Sequence, residues 1–152
     1  MALPAGAFVK MRSGKSISCG SSGRVHRRQT ISIIDDDQDV RGSLDSFLRS
    51  SGLRVVSFGS AEEFLEFTGE ADCIVTDLNM PGMGGVSLLA LLASRKSEIP
   101  AIAMTAFPSR TAEKDCLALG AAAFLIKPLD PEILLAEILK ILPSGPADRL
   151  HH

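Results

Sequence analysis

Thr30-Ile31-Ser32-Ile33-Ile34-Asp35-Asp36-Asp37 is the stretch on which the fold turns. A short, β-branched, apolar run stops abruptly in three carboxylates. A run of this length and composition reads as a buried strand rather than a helix. Just beyond it, Val40, Leu44, Phe47 and Leu48 fall on one helical face. Ser51-Gly52 closes that helix, with glycine supplying the left-handed stop.

The same strand–helix alternation continues outward. Residues 53–58 read as a second strand, and Ser60 caps a short helix with Glu63 three residues on, as in a capping box. Residues 73–76 form a third strand, followed by a helical stripe of Val86, Leu89, Ala90 and Ala93. Residues 101–104, after Pro100, form a fourth, followed by Ala112, Cys116 and Leu119 on a helix ended by Gly120. Residues 123–126 form a fifth. Pro131 opens the last helix, with Leu134, Ile138, Ile141 and Leu142 facing inward, and Pro143, Gly145 and Pro146 end it. Strands this apolar are expected to be covered on both faces, which means a parallel sheet between helices. Right-handed crossovers then give a doubly wound α/β sandwich, whose ligands sit at the carboxyl ends of the strands.

The 152 residues suit one domain with tails: a basic arm over 1–28, a folded unit over 29–142 and a tail or linker start over 143–152. The arm holds six basic residues and no acidic one; the folded unit holds nine basic and seventeen acidic, a net of eight negative charges. An acidic body is a poor binder of nucleic acid and a good host for a cation or a basic surface. The arm, rich in Ser and Gly over 13–23, reads as disordered. Its Gly14-Lys15-Ser16 lacks both the earlier glycine and the preceding strand of a phosphate-binding loop. Cys19, Cys73 and Cys116 match no zinc or redox spacing, and Cys73 and Cys116 sit in apolar patterns as packing residues. Reduced thiols and the lack of a signal peptide or a membrane-length apolar run point to a cytoplasmic protein.

The strand ends carry the chemistry. The first ends in Asp35-Asp36-Asp37, the third in Asp77, the fourth in Thr105 and the fifth in Lys127-Pro128. Alone, each has an ordinary reading: Asp35 to Asp37 as a turn and helix cap, Asp77 as an Asx turn, Thr105 as a β residue, Lys127 as a solvated cation. Together they would place clustered carboxylates, a hydroxyl and an ammonium on one sheet edge. Clustered carboxylates need a counter-charge, which a hard divalent cation such as Mg2+ or Mn2+ supplies. Cation, ammonium and hydroxyl also meet what an incoming phosphoryl group requires, and a carboxylate can accept that group covalently.

The stretches Ile33-Ile34-Asp35-Asp36-Asp37, Thr76-Asp77-Leu78-Asn79-Met80-Pro81-Gly82-Met83-Gly84-Gly85, Ile102-Ala103-Met104-Thr105-Ala106 and Gly120-Ala121-Ala122-Ala123-Phe124-Leu125-Ile126-Lys127-Pro128 resemble the CheY-like receiver domain of bacterial response regulators. The resemblance implies a flavodoxin-like (βα)5 fold with strand order 2-1-3-4-5. It implies Asp77 as phosphoacceptor, Asp36 as direct and Asp35 as water-mediated metal ligand, and Asn79 as a ligand through its backbone carbonyl. Thr105 would bond the phosphoryl group, Lys127 would pair with Asp77 before a cis Pro128, and Thr105 and Phe124 would form the switch. The donor would be a phosphohistidine on a sensor histidine kinase or phosphotransfer protein. The face of the fourth helix, fifth strand and fifth helix would bind a partner or a second copy. Phe107 and Asn79 flank the expected approach of water to an acyl phosphate at Asp77.

Two other readings compete. A haloacid-dehalogenase-type phosphohydrolase would use Asp35 and Asp37 and leave Asp77 without a role. A degenerate receiver would serve as a binding module and accept no phosphate. The Thr105-Ala106-Phe107-Pro108 motif also resembles receivers joined to helix-turn-helix outputs.

Overall fold

The computed structural model describes residues 29–142. The arm, with Cys19 and Gly14-Lys15-Ser16, and the tail lie outside the described residues. Strands β1 (Thr30–Ile34), β2 (Arg54–Phe58), β3 (Cys73–Asp77), β4 (Ala101–Thr105) and β5 (Ala123–Ile126) alternate with helices α1 (Gln38–Ser50), α2 (Ala61–Leu65), α3 (Gly85–Ser94), α4 (Arg110–Ala118) and α5 (Pro131–Ile141). The strands form one sheet in the order β2-β1-β3-β4-β5. Every neighbouring pair is parallel, as expected.

Alternating side chains of the sheet feed two cores. On one side Ile31, Ile33, Val75, Ile102 and Met104 pack with Leu44 and Leu48 of α1 and Leu134 and Ile138 of α5. On the other, Ile34, Ile74 and Ala103 pack with Phe64 of α2, Leu88, Leu89 and Leu92 of α3 and Cys116 of α4. Phe58 meets Phe64 edge-on at 5.5 Å, a favoured aromatic geometry. Cys73 and Cys116 are free buried thiols, as expected. Burial, with Asp72 alongside, pushes the Cys73 thiol up to about 12, so it stays protonated and inert.

Two expectations need correcting. The edge strands β2 and β5 are only partly covered, and Ile126 lies exposed; an apolar run alone does not say which strand ends up at an edge. The α3 stripe is also rotated. Leu88, Leu89 and Leu92 are buried while Ala90 and Ala93 face solvent, because Leu88-Leu89-Ala90-Leu91-Leu92 offers apolar residues to every side and larger leucines win the core.

Helix ends fix the loops at the site. Asp37 caps α1 by accepting from Asp39 and Val40 amides, and Ser60 caps α2 through the Glu63 amide. The Glu63 carboxylate reaches the Gly59 amide, one residue before the cap. Among the described residues no helix is long and apolar enough to cross a membrane.

Candidate functional site

The carboxyl ends of β1, β3, β4 and β5 bring the expected groups together. Asp35, just past β1, is wholly buried. Its amide donates to the Phe58 carbonyl at 3.1 Å, and its Oδ1 accepts from the Asp37 amide at 2.8 Å. Its carbonyl accepts from Arg41 Nη1 at 2.8 Å, and its Oδ2 accepts from Lys127 Nζ at 2.7 Å. Asp36 follows it and is exposed.

Asp77 ends β3 and is 4% exposed. Its Oδ2 accepts from Lys127 Nζ at 3.1 Å, and its Oδ1 accepts from the Asn79 amide at 3.0 Å. The Thr105 hydroxyl at the end of β4 donates to Asn79 Oδ1 at 2.6 Å and accepts from the Phe107 amide at 2.9 Å. Lys127 is carried into place by β5, where its amide donates to the Thr105 carbonyl at 2.8 Å. The Lys127–Pro128 bond is cis, as expected.

Carboxylate oxygens of Asp35, Asp36 and Asp77 lie within 4.8 Å of one another. One ammonium faces them, leaving a local excess of negative charge. Burial holds the Asp35 carboxyl above the ordinary carboxylate range, and its hydrogen bond with Lys127 offsets this only in part. Burial also works against the Lys127 charge, but its bonds to Asp35 and Asp77 outweigh that and raise it. All-oxygen donors, the exposure of Asp36 and unbalanced negative charge fit a hard divalent cation. The same three features fit no soft metal, which would want thiolate or imidazole.

Of the residues singled out in the sequence, Asp35, Asp36, Asp77, Asn79, Thr105 and Lys127 converge. Phe124 is half-buried against the core on the Thr105 side of the sheet. It pairs with Ala103, two residues before Thr105, so it is a diagonal neighbour of that residue. Asp37 does not join the cluster: its side chain is occupied in capping α1. That removes the second carboxylate of the hydrolase reading. Two contacts went unread in the sequence. The Asn79 side chain, expected to matter through its backbone, engages Thr105. Arg41, counted only as a charge, holds the Asp35 carbonyl; its place one turn into α1 was the available hint.

Comparison with known proteins gives a consistent answer. The chain matches the model of the response regulator receiver domain over residues 31–139. It is 41% identical to the transcriptional regulatory protein FixJ of Azorhizobium caulinodans, over 71% of this chain and 52% of that protein. It is 34% identical to the response regulator protein TmoT of Ectopseudomonas mendocina, over 86% of this chain and 61% of that protein. The chain thus spans about half the length of the curated relatives it matches. The crystal structure of FixJ-N superposes with a TM-score of 0.67 at 32% identity, covering 78% of this chain and 99% of that one. Order 2-1-3-4-5, a lysine bridging two buried aspartates, and a family match across nearly all the described residues lead to one assignment: the chain belongs to the response regulator receiver domains.

Proposed function

We propose that this receiver takes a phosphoryl group on Asp77 from a phosphohistidine of a sensor histidine kinase or phosphotransfer protein, acting in the cytoplasm. The observation that supports this best is Lys127 Nζ held between Asp35 Oδ2 and Asp77 Oδ2, at 2.7 and 3.1 Å. It places a fixed positive charge where phosphoryl oxygens would arrive. An Asp77 oxygen forms a bond to phosphorus as the donor's P–N bond breaks, and the electron pair returns to the imidazole nitrogen. Asp35, Asp36, Asp77 and the Asn79 carbonyl would hold Mg2+ or Mn2+, which neutralises phosphoryl oxygens when bound. The chain acts as an acceptor that helps its own phosphorylation and dephosphorylation, not as a turnover enzyme on an outside substrate.

Phosphorylation adds strong acceptors beside Thr105. Thr105 would leave Asn79 Oδ1 for a phosphoryl oxygen, and Phe124, its diagonal neighbour, would fill the space vacated. The face of α4, β5 and α5 would then have two states, one suited to a partner or a second copy. Nucleic-acid binding is not expected of the acidic receiver itself.

The test is incubation with a small phosphodonor and Mg2+, followed by intact mass measurement. One added phosphoryl group is expected, lost in Asp77→Asn and kept in Asp37→Asn. Label on Asp35 would instead support a hydrolase, and no label from any donor would support a binding module.

A further inference from the structure

Arg41 lies one turn into α1, and its guanidinium folds back on the site. Nη1 donates to the Asp35 carbonyl at 2.8 Å. Gly59 makes room for it: a Cβ at that position would lie 3.3 Å from Nη1. The carbonyl that Arg41 holds belongs to the same rigid peptide plane as the Asp36 amide. Fixing one therefore fixes the other, and with it the direction in which Asp36 leaves the backbone. The remaining polar atoms of Asp35 are already tied to Phe58, Asp37 and Lys127. Without Arg41, the 35–36 peptide carbonyl loses the side-chain donor that holds it.

We propose that Arg41 is a positioning residue of the cation site: by gripping the Asp35 carbonyl it aims the Asp36 carboxylate at the oxygens of Asp35 and Asp77. This rests on the reading of those three aspartates as a divalent-cation site. A purely electrostatic role has the opposite sign. A cation beside the cluster repels an incoming metal ion, so its removal would tighten binding. Positioning requires that removal weaken it.

The experiment is calorimetric titration of Mg2+ into the full chain and into Arg41→Ala, Arg41→Lys and Gly59→Val. The Asp36 amide resonance is followed in the metal-free proteins. Arg41→Ala is expected to weaken Mg2+ binding about tenfold, as for other residues that orient metal ligands. Gly59→Val keeps the charge but displaces the guanidinium, and should weaken binding in the same direction. Arg41→Lys retains a donor and should recover most of the loss. The Asp36 resonance should move in Arg41→Ala and Gly59→Val before any metal is added. Unchanged or tighter binding in Arg41→Ala, or an unmoved Asp36 resonance, overturns the proposal. Where Arg41→Ala does not fold, Gly59→Val decides alone. Failure of the cation site itself has a separate signature: no saturable Mg2+ binding by the parent, or Asp36→Asn binding as the parent does.

Discussion

Every polar atom of Asp35 has a protein partner, yet burial still holds its carboxyl above the ordinary range. The metal-free folded state therefore keeps a proton that the unfolded chain releases near pH ~3.9. In that window the folded state binds more protons, so this group's contribution to stability falls as pH rises through the folded value. Asp35→Asn removes the titration. Thermal midpoints in chelator, followed from acid to neutral pH, should fall less in Asp35→Asn than in the parent. Phe107 stands 73% exposed beside the Thr105 hydroxyl, to which its own amide donates. If Asp77 takes the phosphoryl group, an apolar ring there would screen the acyl phosphate from water, and Phe107→Glu should shorten its lifetime. Identical lifetimes by time-resolved mass measurement would sink that idea. The polar ends of the strands were legible in sequence because an apolar run that stops on Asp35, Asp77, Thr105 or Lys127 marks its own boundary. The Arg41–Asp35 and Asn79–Thr105 contacts were not, because both depend on rotamers set by residues distant in the chain.

At the scale of elements, α3 sits against the strand that carries Asp77, and Gly85 is where they touch. A Cβ on Gly85 would lie 2.5 Å from the Asp77 carbonyl oxygen and 2.9 Å from the Leu78 Cα. Those are backbone atoms, so the helix must move. Gly85→Ala should cost about 2 kcal/mol, the scale of overpacking, read as a lower urea midpoint with an unchanged slope. The periods of α1 and α5 could be read because Leu44, Leu48, Leu134 and Ile138 are spaced as single stripes. The period of α3 could not, because its leucines occupy several faces. The exposure of β5 could not be read from its own residues: it follows from strand order, which the family resemblance supplied and no single strand encodes.

For the molecule as a whole, helices cover both faces of the central strands but leave apolar residues open along one flank. Leu117 of α4, Ile126 of β5 and Ile133 and Leu139 of α5 are each about half exposed or more. If phosphorylation drives self-association through this flank, Ile126→Asp should be phosphorylated as the parent is, yet remain monomeric by sedimentation. A parent that stays monomeric when phosphorylated would remove the homodimer from consideration. The fold also imposes an order in time. Lys127 meets Asp35 across 92 positions and Asp77 across 50. A ribosome makes the chain from its amino end, so Asp35 and then Asp77 emerge before the ammonium that bridges them. Any pairing of β1 with β3 before β5 is made would set their acids side by side with no lysine between them. Docking of β5 is then the step that brings in the counter-charge, so the acidic cluster is not balanced until the fifth strand is in place.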